Sequence, residues 1–121
     1  MKTDEFRFLI RTDDFAGTVA FWEGFLELER IGTWDREDSE GVILRVADHA
    51  VVLIIGGEGM DFPASDGTYV GIEVGDVDAW HSRALAAGHT VLNEPGEKLW
   101  GLRSFRLRDP NGNMLYLFTR T

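Results

Sequence analysis

The chain has 121 residues, 44% of them hydrophobic, which suits one domain of ordinary size with a real core. Twelve Lys and Arg stand against 21 Asp and Glu, a formal charge of −9; this argues against a nucleic-acid partner, which needs clustered basic side chains, and favours solubility. With no cysteine there is no disulfide framework, thiolate metal site or Cys nucleophile. No apolar run nears the roughly 20 residues that cross a bilayer, and the polar start Met1-Lys2-Thr3-Asp4-Glu5 lacks a secretory h-region, so a cytoplasmic protein is expected.

In chain order, Phe6–Arg11 alternates apolar and polar residues and predicts a strand with one buried face. Asp13-Asp14 offers an N-cap, and Phe15, Val19, Trp22 and Phe25/Leu26 follow at helical spacing, with Gly17 and Gly24 weakening that helix. Glu27–Thr33 reads as a short strand, and residues 35–40 as a charged loop. Val42–Val46 and Ala50–Ile55 read as two strands joined at Ala47-Asp48-His49. Residues 57–67, rich in Gly, Pro, Asp and Ser, read as a linker.

The pattern then restarts. Thr68–Val74 alternates, Asp76 caps a helix over residues 77–87, and Gly88 ends it. His89–Leu92 predicts a strand. Leu102–Leu107 and Met114–Phe118 predict a hairpin whose turn is Asp109-Pro110-Asn111-Gly112-Asn113. The halves superimpose at an offset of 62 residues: Phe6–Arg11 on Thr68–Glu73, Asp14 on Asp76, and His49-Ala50-Val51 on Asn111-Gly112-Asn113. The prediction is therefore an α+β fold of two βαβββ modules in a single domain 1–121, with module one at about 5–56 and module two at about 68–120.

Several motifs then carry a resemblance. Tyr69-Val70-Gly71-Ile72-Glu73-Val74, Asp76-Val77-Asp78-Ala79 and Ala86-Ala87-Gly88 come in order, followed by Trp100-Gly101 and Phe105-Arg106-Leu107-Arg108-Asp109-Pro110-Asn111-Gly112-Asn113. Ala20-Phe21-Trp22 and Gly41-Val42 stand where a first helix and third strand belong. This series resembles the vicinal-oxygen-chelate superfamily, also called glyoxalase/bleomycin resistance/dioxygenase, and within it most resembles the bleomycin-binding resistance proteins, which share the Trp-Gly before Arg-Asp-Pro. The resemblance implies curved mixed sheets around a cavity, and a homodimer whose modules are often shared between chains.

Metal-using members of that superfamily take His, Glu or Gln ligands from the first and last strands of each module, donors suited to divalent ions. Carried onto this chain, those positions are Arg7, Leu53 or Ile54, Tyr69 and Tyr116, none of them a normal ligand. His49 falls in a predicted turn, His81 on a helix and His89 past a helix end, where surface or capping roles are expected. The expectation is no metal and no cofactor, which argues against metal catalysis of the glyoxalase or extradiol type.

Strand alternation places the cavity lining. With Phe8, Ile10, Val70, Ile72 and Val74 toward the helices, Arg7, Leu9, Arg11, Tyr69, Gly71 and Glu73 face the other way. Met114, Tyr116 and Phe118, and then Ser104 and Arg106, share that side, while Leu115, Leu117, Phe105 and Leu107 are core. Such a lining is aromatic with a few charges, as ligand pockets are. Trp34, placed after a short strand, and Trp100 with Gly101, placed in a loop, are candidate ligand contacts by the same resemblance; edge packing or dimer burial is the competing reading. Trp22 and Trp80, on predicted helices, are assigned to the core. Arg7, Arg11 and Arg106 favour a ligand with carboxylate, phenolate or phosphate, unless Glu73 pairs with one of them.

The function expected is a small-molecule-binding protein that sequesters an aromatic or peptide-like, antibiotic-like ligand in a cavity at the dimer interface. The alternative is a lyase, isomerase or dioxygenase of the same superfamily, using a non-standard metal site or acid–base chemistry at Glu73, Tyr69 or Tyr116. A weaker third reading is a regulatory subunit with no small ligand.

Overall fold

Parallel pairing of the first and last strands organises each half of the chain. The computed structural model describes residues 5–59, 68–98 and 101–121, and the chain divides into two compact units, Met1–Ser65 and Asp66–Thr121. In the first, β1 (Phe6–Arg11) lies parallel to β4 (Ala50–Gly57). β3 (Ser39–Ala47) and β2 (Glu29–Asp35) follow antiparallel, giving the order β1-β4-β3-β2. Parallel neighbours need a crossover, and it is made by a helix and the β2–β3 hairpin.

That helix starts where sequence placed it. The Asp14 carboxylate accepts a hydrogen bond from the Gly17 N–H at 3.0 Å, an N-cap for α1 (Phe15–Val19). The chain then widens into a π-helical turn, Ala20–Phe25, closed by the Leu26 N–H donating to the Phe21 carbonyl at 3.0 Å. Its cause is a length difference between the modules. Phe15 opens the first helix as Val77 opens the second, yet the left-handed residues beyond their ends, Glu27 (φ 57°) and Gly88 (φ 78°), lie one residue closer together. An i→i+5 bond absorbs the extra residue. Phe21, Trp22 and Leu26 all stay buried, with Trp22 tilted against Phe8 at 6.3 Å between ring centroids.

The second unit repeats the topology. β5 (Tyr69–Glu73) lies parallel to β9 (Met114–Arg120), β8 (Leu102–Arg108) is antiparallel to β9, and β6 (Thr90–Val91) and β7 (Gly96–Lys98) both pair with β8. α2 (Val77–Ala86) is capped by the Asp76 carboxylate on the Ala79 N–H at 3.1 Å. Phe105, Leu107, Leu115 and Leu117 are fully buried, together with Val77 and Ala84 of the helix. Among the described residues no helix is long and apolar enough to cross a membrane.

The turn Asp109–Asn113 is a rigid joint. The buried Asp109 carboxylate accepts from the N–H of Asn111 (2.9 Å), the N–H of Asn113 (2.8 Å) and the Asn113 side-chain amide (3.1 Å). The Asn113 amide oxygen accepts from the Thr68 N–H at 3.3 Å, tying the turn to the start of β5. Gly112 is left-handed (φ 84°), which explains glycine there.

Four expectations need correction. β2 runs on to Asp35 and β3 begins at Ser39, so Trp34 lies inside a strand and the charged loop shrinks to residues 36–38. β7 was not foreseen, because Gly-Glu-Lys has no apolar alternation to read. Trp80 is only half-buried, with the Arg83 guanidinium 4.2 Å over its ring, so it covers the surface of α2 rather than filling the core. The single offset of 62 fails at the last strands: Arg7 pairs with Val51 and Tyr69 with Met114, so Val51 corresponds to Met114, not to Asn113.

Candidate functional site

Residues paired across a ladder project to the same side, so the registers define each face. In the second unit, Tyr69, Gly71 and Glu73 stand opposite Met114, Tyr116 and Phe118, which in turn stand opposite Arg108, Arg106 and Ser104. The side away from the buried Phe105, Leu107, Leu115 and Leu117 therefore carries the lining that alternation assigned to it. Tyr69 meets Tyr116 edge-on (5.3 Å, 83°), and Tyr116 stacks with Phe118 (5.3 Å, 30°). This row depends on Gly71. A Cβ there would lie 2.2 Å from Cζ of Tyr116, so the bare backbone is what lets the ring lie across the strand.

The charges on this face are arranged unequally. Glu73 pairs with Arg120 at 3.3 Å, both largely exposed, and not with Arg106. Arg108 donates to the Gly112 carbonyl at 3.0 Å. Arg106 is half-buried opposite Tyr116; its backbone N–H donates to the Asn93 side chain at 2.7 Å, while its guanidinium has no ion pair or hydrogen bond among the described residues. Gly101, Leu102, Phe118, Arg120 and Thr121 line an open groove at the edge of the face. Gly101 is left-handed (φ 72°), and its carbonyl accepts from both the N–H and the hydroxyl of Thr121, each at 2.7 Å. Trp100 lies outside the described residues.

The first unit carries the matching face. Arg7, Leu9 and Arg11 stand opposite Val51, Leu53 and Ile55. Those three are buried, with Trp34 and Ile43 packed against them. The Trp34 ring crosses Gly41, where a Cβ would fall 2.1 Å from it, and its indole N–H donates to Ser39 Oγ at 3.3 Å. Arg7 is exposed and pairs with Glu5; Arg11 is half-buried. The candidate residues thus form two groups: Arg7, Arg11 and Trp34 on one sheet, and Tyr69, Glu73, Arg106, Tyr116, Phe118 and Gly101 on the other. Arg120 was missed, although the same alternation that picked Phe118 reaches it; the Val51–Leu53–Ile55 face was not readable, because Ala50–Ile55 is apolar at every position.

The metal-ligand positions can now be fixed. Leu53 pairs with Leu9 as Tyr116 pairs with Gly71, which settles the register on Leu53 rather than Ile54. The four side chains are an arginine paired with Glu5, a buried leucine and two tyrosines packed ring to ring. That donor set does not fit a divalent cation. Among the described residues no three His, Asp or Glu side chains gather elsewhere. His49 is exposed in its hairpin turn, and His81 packs edge-on against Phe105 at 5.1 Å, an aromatic role sequence did not suggest. His89 is half-buried, and burial holds its imidazole pKa below the ordinary value.

Comparison with known proteins agrees with this geometry. An uncharacterized protein of Mycobacterium bovis, Mb0911c, is 32% identical over 111 residues, covering 84% of this chain and 73% of that one. A V278E mutant of glyoxalase I from Zea mays shares the fold (TM-score 0.82, 18% identity) over 99% of this chain and 46% of that one. A glyoxalase/bleomycin resistance protein/dioxygenase from Nocardioides does so at TM-score 0.71 and 14% identity, over 99% and 84%. The sequence profile of the family matches residues 6–117, nearly the whole repeat. With that span and the twice-repeated βαβββ topology, the chain belongs to the Glyoxalase/Bleomycin resistance protein/Dioxygenase superfamily.

Proposed function

We propose that this protein binds and sequesters an aromatic or peptide-like small molecule without a metal, in the manner of the bleomycin-binding members, as a cytoplasmic homodimer. The observation that carries the reading is the row Tyr69–Tyr116–Phe118, flat apolar area with polar groups beside it. The unsuitable donor set at Arg7, Leu53, Tyr69 and Tyr116 supports the metal-free part. The exposure of Leu9 and Tyr69, 41% and 56%, supports a further surface covering these strands in the working assembly.

Intrinsic tryptophan fluorescence and thermal unfolding, titrated with bleomycin-, mitomycin- and enediyne-type compounds, test the binding. Quenching with a rise in melting temperature is expected for at least one class, and no response to any of them overturns the reading. Stoichiometric divalent metal in protein purified without chelator would overturn the metal-free part. Sedimentation as a monomer would overturn the dimer.

A further inference from the structure

We infer that the β5–β9–β8 face of the second unit selects an aromatic anion, with the ring on Tyr116 and Phe118 and the negative group at Arg106. The inference rests on the binding reading above and adds the ligand's charge.

Three observations support it. First, the face is cationic in an acidic protein. The chain carries −9, yet Glu73 is the only acid among the described strand residues of this face, and Arg120 already neutralises it. Arg108 is satisfied by a carbonyl, which leaves its charge in place. Second, the Arg106 guanidinium has no ion pair or hydrogen bond among the described residues, and the residue is half-buried. A partly desolvated guanidinium with five N–H donors gains most from a planar oxyanion, which it can meet with two parallel bonds. Third, Arg106 stands directly opposite Tyr116, the middle ring of the row. Opposite positions on an antiparallel pair lie about 5 Å apart at Cβ. A carboxylate or sulfonate attached directly to a flat ring spans that separation, with its ring over the aromatic row. A cationic ligand would meet Arg106 and Arg108 with no free acid among the described strand residues of the face.

Calorimetric titration of the full chain with three probes of one shape tests this: 2-naphthoate, 2-naphthamide and 2-naphthylmethylammonium. At low salt the carboxylate should bind about tenfold more tightly than the amide, and the ammonium more weakly than either. Arg106→Gln should remove the carboxylate preference while leaving the amide affinity in place. Arg106→Lys, which keeps the charge but loses the fork, should retain part of it. Tyr116→Ala should weaken carboxylate and amide alike. Equal affinity for all three probes, or preference for the ammonium, overturns the anion assignment while leaving the binding reading intact. An unchanged preference in Arg106→Gln removes Arg106 from the site. No binding of any probe overturns the aromatic-anion inference, and the antibiotic titration then decides the wider reading by itself.

Discussion

Asp109→Ala should be among the most damaging substitutions away from the apolar core. The carboxylate accepts hydrogen bonds from the N–H groups of Asn111 and Asn113 and from the Asn113 side chain. The Asn111 donor is half-buried and water can replace the lost acceptor there, but Asn113 is 0% exposed, so its two donors lose this acceptor without gaining solvent. An unsatisfied buried donor costs about 1–3 kcal/mol, so two of them cost roughly 2–6 kcal/mol. That is a large share of the about 5–15 kcal/mol that holds a domain together. The damage should spread, because Asn113 holds the Thr68 N–H and Thr68 accepts from the Met114 N–H at 2.6 Å, the join between β5 and β9. Urea unfolding followed by far-ultraviolet circular dichroism measures the loss; a lower midpoint with an unchanged slope is expected. Asp109→Asn keeps an acceptor for the backbone donors and should lose less. A loss below about 1 kcal/mol in Asp109→Ala would refute the view that this motif is a structural joint.

Gly71→Ala should displace the Tyr116 ring, since the added Cβ meets Cζ at 2.2 Å; tyrosine ring chemical shifts should change and ligand affinity fall, and unchanged spectra would contradict the packing. Phe105→Ala, at a 0% exposed site beneath His81, should cost about 3–5 kcal/mol in the same urea assay, with a small loss showing that the site collapses. Burial lowers the His89 pKa in the folded state, so the unfolded chain takes up the proton more readily. Stability is then complete above the ordinary value of 6.5 and declines as pH falls through the folded pKa. His89→Gln should flatten that segment, and identical pH–stability curves would count against the shift. Gly101→Ala forces a side chain into left-handed backbone at φ 72° and should lower the melting temperature; if melting is unaffected, this corner relaxes freely.

Much of the site is legible in the sequence. Strict alternation in Tyr69–Glu73 and Met114–Phe118 assigned the faces, because a strand has only two sides and a buried row of Leu115 and Leu117 leaves no choice for Tyr116 and Phe118. The pairing of Glu73 was not readable. Its partner, Arg120, lies 47 positions away in sequence, and only the parallel β5–β9 ladder brings the two strands side by side. The function of the Asp-Pro-Asn-Gly-Asn run was half readable: the residue types announce a turn, but not that Asn113 is buried and joined to Thr68.

Local signals thus determined the repeated βαβββ order, the helix caps at Asp14 and Asp76 and the core faces of β1, β5, β8 and β9. These depend on neighbours one to four positions apart, which the chain itself supplies. Tertiary structure alone decided the registers. It shifted the last strand of module two by one residue against the simple repeat, assigned Leu53 to the position of Tyr116, and absorbed the extra helical residue in a π turn. It also left Arg106 among the aromatics without a partner among the described residues. Registers and charge partners arise from strands far apart in sequence. Pairing energy and side-chain fit select them, and a local pattern carries no record of either.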